Sequence, residues 1–429
     1  MTRTLVPTAS RQRIDTLDVI RGVAVCGILL INVVAMGSIG DAETPRSAPG
    51  WNPDWIAWGL QSTLAEGTMR GLFSMLFGAG MVMMLGKAGE DDGAAVWLWV
   101  RRCIGLLALG IAQFAVFLWP GEILWCYGWA GLLLLLLRKA EPRQLVALAA
   151  IILIMLSAYK TFEASGRVRT LEVAAAAIAR GGPETEQERR VVAARAEYAA
   201  YLHPSAEAVA AEKAQRTSFP GVLLWSEEKW AEWNLRADSW TWLFETVAFM
   251  AIGMMLFRTG VLTGAAPPAV YRAMVAVGYG IGIPLRLATL AMMGRHGFVT
   301  DLDHPDALLM MWEEGVYEPA RLLITMGHIG AVVLLLRGGA LGQARPLRAL
   351  GRMALTVYSL QSVLTSVLFY GFGVLGAIGF AGLMGIAAGI WVLTALFCLA
   401  WLRRFPMGPM EWMLRRVSYG PHPRNARSP

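Results

Sequence analysis

Charge is scarce in this chain. Of 429 residues only 16% are Asp, Glu, Lys or Arg, while 56% are hydrophobic. Soluble globular domains carry about 25% charge, so an ordinary soluble protein is excluded. Cysteine is also sparse. The four residues, Cys26, Cys103, Cys126 and Cys398, fall in or beside apolar runs and form no CxxC pair. Neither a zinc site nor a disulfide frame is expected from them. Histidine is limited to five residues, and four of these (His203, His296, His304, His422) lie in loops. His296, Asp301, Asp303, His304 and Asp306 are close in sequence, but their spacing fits no metal motif, and no metal is expected. The net charge of +7 sits in short loops between apolar runs, a membrane-topology pattern, so nucleic acid is not an expected partner. Tandem repeats are absent. Ala35-Met36-Gly37 imitates a signal-cleavage site, yet Arg21 and the long run around it argue for a retained span.

The apolar residues come in runs of about 18–25, enough to cross a hydrocarbon core about 30 Å thick. The expected fold is all-α: a polytopic membrane protein of about ten transmembrane helices with a small external helical cap. The spans read as 17–38, 69–86, 96–119, 122–137, 144–162, 239–257, 273–293, 320–336, 352–371 and 376–401. Residues 54–68 read as an amphipathic helix before the second span. Pro284 should kink the seventh. By domain, 1–162 holds the first five spans, 163–238 the cap, 239–402 the last five spans and 403–429 a cytoplasmic amphipathic tail. Orientation follows from Lys and Arg in short loops: about 21 lie on the side of the two termini, against two, Arg46 and Arg295, opposite. Arg70 and Arg321, at outer span ends, soften the contrast. Both termini are therefore expected in the cytoplasm, with the long 163–238 segment outside.

Polar residues inside the spans are costly and mark pockets or pathways. Asn32, Gln113, Glu122, Glu245, Arg286 and His328 come from six spans, yet each lies within roughly 12 Å of the outer end of its own span. A shared outward-facing polar pocket explains this layer; local satisfaction by neighbouring backbone is the alternative. Glu245 and Arg286 share a depth on consecutive spans, either as a structural ion pair or as a site where Arg286 binds an anionic group that Glu245 orients. His328 is either a satisfied core residue or the one histidine placed for proton transfer within the bilayer. Tyr358, Gln361, Ser362 and Thr365 form a polar stripe that either joins helices or lines a substrate path. On the cytoplasmic side, Asp18, Arg21, Arg101, Arg102 and Arg352 form a basic mouth suited to a phosphate-bearing donor such as an acyl-CoA.

Four motifs carry a family resemblance: Arg13-Ile-Asp-Thr-Leu-Asp-Val-Ile-Arg-Gly-Val-Ala-Val-Cys-Gly-Ile-Leu-Leu-Ile-Asn32, the Phe73-Ser-Met-Leu-Phe-Gly-Ala-Gly80 stretch, Gly121-Glu122-Ile123-Leu124, and Gly351-Arg-Met-Ala-Leu-Thr-Val-Tyr-Ser-Leu-Gln-Ser362. With these the chain resembles the YeiB-like bacterial inner-membrane proteins, a family of unknown function. The third motif departs from the family pattern, with Glu122 where aspartate is usual. The family in turn is similar to the transmembrane acyltransferases. One branch of those uses an arginine and, eleven residues later, a histidine thought to act as base; eleven beyond Arg21 stands Asn32. The heparan-α-glucosaminide acetyltransferase type is more similar, with asparagine there and its proposed histidine about eleven residues further on. Here that position is Glu43, and 33–60 holds no histidine. The resemblance thus implies an inner-membrane location, an acyl-CoA donor and an asparagine-type first-span site, but leaves the base to Glu122 or His328.

The expected activity is transfer of an acyl group from a cytoplasmic donor to an outward-facing acceptor. Asn32, Glu122 and His328 are the candidate catalytic residues. Glu245, Arg286, Gln113, Tyr358 and Gln361 are the candidates for substrate binding; Asp18, Arg21, Arg101 and Arg102 are those for the donor. The partners expected are the lipid bilayer and a small-molecule or glycan substrate, with homo-oligomerisation left open. The alternative is a transporter or exporter of a small anionic or amphipathic metabolite, for which the Pro284 break and the intramembrane Glu245 and Arg286 would form the coupling site.

Overall fold

The computed structural model describes residues 15–39, 44–45, 47–86, 92–236 and 238–420. The amino-terminal arginines, Glu43, Arg46 and His422 lie outside the described residues. Every regular element among the described residues is a helix. The first helix, α1 (Asp15–Gly37), is followed by α2 (Pro53–Leu64), α3 (Thr68–Leu85), α4 (Asp92–Ala115) and α5 (Leu124–Leu133), which tightens into a 3₁₀ turn over Leu134–Leu137. Then come α6 (Pro142–Ala179), α7 (Glu186–Leu202), α8 (Ala206–Gln215) and α9 (Phe219–Leu235). The second half holds α10 (Trp240–Arg258), α11 (Pro268–Arg295), α12 (Ala307–Arg337), α13 (Arg345–Arg352), α14 (Ala354–Ser366), α15 (Phe380–Trp401) and α16 (Pro409–Tyr419). A π turn over Val367–Gly371 extends α14.

Nine segments among the described residues are long and apolar enough to cross a membrane, with α2 and α3 counted as one; Leu124–Leu137 is a shorter apolar tenth. That agrees with the reading of about ten spans. The edges differ where local chemistry overrides the apolar pattern. The fourth span starts at Leu124, because Glu122 turns its carboxylate onto the free N–H groups of Leu124 (2.6 Å) and Trp125 (3.0 Å) and so caps the helix start. No break falls at 162: α6 opens with a capping box between Glu141 and Gln144 and runs unbroken for 38 residues. Pro284 and Pro319 both sit inside continuous helices, α11 and α12.

Helices α3 and α10 cross at a pair of glycines. A Cβ on Gly78 would lie 2.0 Å from the carbonyl oxygen of Met250, and one on Gly253 would lie 1.9 Å from that of Met75. Neither position has room for any side chain, so the two backbones touch directly. Around this crossing α6 packs on α10 and α12, α11 along α12, and α1 against α3, α13, α14 and α15. Helices α7–α9 are tied to the bundle by polar contacts. Ser226 of α9 donates to the Phe114 carbonyl (3.0 Å), and the Arg195 guanidinium of α7 meets Asp303 (2.7 Å).

The crossing sets a stability test. Gly253→Val should cost about 3 kcal/mol or more, as overpacking of a fixed contact does, and lower the melting temperature of the detergent-solubilised protein. Gly80→Ala, on the same α3 but with nothing within 4 Å, should leave it unchanged.

Candidate functional site

Two cavities open toward opposite ends of the bundle. The first, about 590 Å³, is lined by the carboxy-terminal part of α1 (Asn32, Ala35), the α2–α3 turn (Glu66, Gly67) with Arg70, the Trp119–Ile123 connection, and the starts of α5 and α10. Six tryptophans, Trp119, Trp125, Trp129, Trp233, Trp240 and Trp242, make its wall largely aromatic. The second, about 320 Å³, lies near the other ends of the same helices, between Arg21, Arg102, Arg352 and Arg415, with Phe73, Phe77, Met84 and Leu106 as its apolar wall. Arg21 and Asn32, both on α1, mark the two cavities; eleven residues of helix separate them by about 16 Å. Tyr127 of α5 lines both. Its hydroxyl is 2.6 Å from Ser74 Oγ and donates to the Arg70 carbonyl at 3.2 Å.

Glu122 is buried in the connection between α4 and α5. Besides the two backbone N–H groups, its carboxylate accepts from the Trp230 indole N–H at 3.2 Å. Among the described residues it has no ion-pair partner. Tyr358 stands behind it, its hydroxyl oxygen accepting from Ile123 N–H at 3.3 Å. Asn32 projects into the same cavity, and its amide makes no hydrogen bond among the described residues. Gln113 lies off the cavity: its amide donates to Ser359 Oγ (3.0 Å), while its carbonyl oxygen is buried without a partner. Both amide atoms of Gln361 are buried and have no hydrogen-bond partner among the described residues. Ser362 and Thr365 of the expected stripe bond back to their own helix, at Tyr358 O (3.2 Å) and Gln361 O (2.8 Å).

His328 stands apart from Asn32 and Glu122. Its Nδ1 accepts from the Tyr279 hydroxyl (2.7 Å), and its Nε2–H donates to the Leu64 carbonyl (2.8 Å). Both ring nitrogens are therefore occupied, and neither faces the aromatic cavity.

The matched depth of Glu245 and Arg286 does not produce an ion pair. Helix α3 packs on α10, so Arg70 reaches Glu245 first, with Nη2 2.9 Å from each carboxylate oxygen. Arg321 of α12 bonds the other side of Glu245, and its Nε donates to Gly67 O at 2.7 Å. The series continues through Glu318, 3.3 Å from Arg321, to Lys160 of α6 at 3.1 Å. Charges alternate along it: Arg70, Glu245, Arg321, Glu318, Lys160. Arg70 lies 4.1 Å from the Trp242 ring centroid and Arg321 4.4 Å from that of Phe249. Arg286, on α11, faces Tyr317 instead (4.5 Å) and reaches the Glu66 carbonyl at 3.5 Å. Sequence reading missed Arg70, Arg321, Glu318, Lys160 and Glu66. The available signal was that Arg70 and Arg321 sit on the side where basic residues are otherwise rare.

At the basic cavity, Arg21 pairs with Asp18 at 3.0 Å, one turn before it. Arg21 and Arg102 line the cavity; Asp18 and Arg101 do not, although Asp18 holds Arg21 in place. Glu411 of α16 closes one side, accepting from the N–H groups of Leu355 (2.7 Å) and Thr356 (3.1 Å) at the start of α14. Among the described residues no group of three His, Cys, Asp or Glu is arranged to hold a metal ion. In the 296–306 loop, His296 Nε2 lies 2.8 Å from Asp306, whose other oxygen caps α12 by accepting from Leu309 N–H at 2.9 Å. That N–H and His296 hold the Asp306 carboxyl below its usual range.

Residues 256–421 match the family described as "Protein of unknown function (DUF418)". The chain is 25% identical to the uncharacterized protein YeiB of Escherichia coli K12 over 95% of its own length and 96% of the relative's. It is 26% identical to the uncharacterized protein YxaH of Bacillus subtilis 168, over 97% and 96% of the two chains. An uncharacterized 39.9 kDa protein of Bacillus acidopullulyticus is 29% identical over 36% of this chain and 42% of its own. No solved structure matches. These similarities support the YeiB-like resemblance carried by the four motifs, in a family whose function is unknown.

The alternating charges give a double-mutant test. Arg321→Met alone should cost about 3–5 kcal/mol, because it strands Glu245 and Glu318, and should appear as a large drop in melting temperature. Glu245→Gln with Arg321→Met together should cost clearly less than the sum of the single changes. A separate test concerns Asp306. Its depressed folded value means the cap on α12 is intact above the unfolded carboxyl range and is released as pH falls through the lowered value. Hydrogen exchange at the Leu309 amide should accelerate over that acid range, and Asp306→Ala should remove the dependence.

Proposed function

We propose that this protein is a multi-pass inner-membrane enzyme, with both termini cytoplasmic, that passes an acyl group from a cytoplasmic thioester donor to a hydroxyl acceptor on the outer side. One observation carries the reading: a basic cavity and an aromatic cavity approach from opposite ends of the bundle and share Tyr127 as a wall. Orientation rests on the Lys and Arg asymmetry, by which the arginine-rich cavity faces the cytoplasm. Arg21, Arg102, Arg352 and Arg415 suit the phosphates of an acyl-CoA, and the phenylalanine and leucine wall suits its thioester arm. The 163–238 segment then covers the outer face as a cap.

In the transfer step the acceptor oxygen attacks the thioester carbonyl carbon and its proton passes to Glu122. The C–O bond forms as the C–S bond breaks, and the departing thiolate takes up a proton. Glu122 suits the base because, among the described residues, its bonding partners are neutral N–H donors and none is a cation. The Asn32 amide, unbonded among the described residues, suits hydrogen bonding to the carbonyl oxygen as charge develops on it. His328 carries neither step in this reading, since both of its nitrogens are engaged.

Opposed cavities meeting at one residue also suit a transporter with a closed middle, and one assay separates the two. Purified protein in proteoliposomes is given radiolabelled acetyl-CoA on the arginine-rich side and hydroxyl acceptors on the other. Label should become covalently attached to an acceptor. Glu122→Gln and Asn32→Ala should each lower the rate by about a hundredfold, while His328→Ala should lower thermal stability far more than the rate. Movement of unmodified solute across the vesicle, with no covalent label, would support transport instead.

A further inference from the structure

Building on the acyl-transfer reading, we propose that the aromatic cavity takes its acceptor sideways from the bilayer, so that the acceptor is a lipid-anchored molecule of the outer leaflet rather than a freely soluble one. The first observation is the length of the fourth span. Ten α-helical and four 3₁₀ residues of Leu124–Leu137 rise about 23 Å, short of a hydrocarbon core of about 30 Å. The missing length lies at the start of α5, because the chain enters this helix from the Trp119–Ile123 connection that floors the cavity. The cavity therefore lies at the depth of the outer acyl chains, not above the headgroups.

The second observation is the rim. Trp240 and Trp242, at the start of α10, line the cavity and are also exposed, at 39% and 54%. Tryptophan favours the boundary between headgroup and hydrocarbon. A rim of this kind on a side wall accepts a chain with a polar end better than a water-borne solute. The interior divides in the same way. Ile28, Ala65 and Met69 offer buried apolar surface, whereas Asn32 and Glu122 offer polar atoms for a head that bears a hydroxyl. Arg70 at that wall is already engaged, its guanidinium bonded to both carboxylate oxygens of Glu245.

The test uses the full chain in vesicles of phosphatidylethanolamine and phosphatidylglycerol doped with a phosphatidylethanolamine that carries a diazirine at mid-chain. After irradiation, mass spectrometry should find adducts on Ile28, Ala65 and Met69, which are buried from the outside and reachable only through the cavity. Ala35→Trp fills the cavity from an exposed position and should lower those adducts about tenfold, leaving adducts on the outward faces at Ile154, Val392 and Leu396 unchanged. Ala35→Ser should label like the parent chain. Adducts confined to outward faces, or equal cavity labelling in Ala35→Trp, would overturn the proposal. Labelling does not depend on turnover. Cavity adducts without acetyl transfer would count against the enzyme reading alone, and transfer to soluble acceptors with an unlabelled cavity would count against lateral access alone.

Discussion

A carboxylate enclosed in a helix bundle needs either N–H donors, as Glu122 has, or cations, and at Glu245 the partners are cations. The cost of removing an ion from water is several kcal/mol, and only close, well-directed partners offset it. Here Arg70 holds both oxygens and Arg321 holds one from the other side. Each cation brings its own helix, so α3, α10 and α12 are fixed around one side chain, and Glu318 and Lys160 extend the bond to α6. The glycine crossing of α3 and α10 lies below this point and brings the backbones close enough for Arg70 to reach. The aromatic cavity inherits its rigid wall from the same pairing, since the guanidinium held by Glu245 also lies against Trp242.

Much of this architecture was legible from residue order. Run lengths gave the number of spans, because the hydrocarbon thickness sets a minimum that few soluble helices meet. The layer of polar residues near one end of six spans also corresponds to real geometry for Asn32 and Glu122, which line a single cavity. Partner identity was not legible. Helical periodicity tells which face a residue occupies, but the neighbour is chosen by how helices cross, and α11 packs along α12. Arg286 therefore meets Tyr317, although its depth matched that of Glu245. Arg70 and Arg321 were visible as exceptions to the positive-inside pattern, and exceptions of that sort mark cations held by a buried anion.

Hydrogen bonding separates the remaining candidates more sharply than position does. His328 sits at the expected depth, yet Tyr279 and Leu64 use both of its nitrogens. Asn32 has an amide with no bond among the described residues and open space before it. Gln361 is also unpartnered, but it is enclosed, so its amide is a cost to the fold rather than a surface for a ligand. A similar contrast holds among the arginines at the other end: Arg21 is oriented by Asp18, and Arg102 faces the same space from α4.

The separation of the Glu245 partners along the chain bears on how the protein is made. Arg70 precedes Glu245 by 175 residues, and Arg321 follows it by 76. At about 5–20 residues per second of synthesis, Arg70 waits roughly 10–35 s for its counter-ion. Its place in the first turn of α3, at the outer end of the span, lets the guanidinium rest at the water boundary during that interval. Glu245 thus emerges from the ribosome to a cation already installed, and the more deeply enclosed Arg321 arrives to an anion already in place. Biosynthetic order spares Glu245 and Arg321 a solitary stay in lipid.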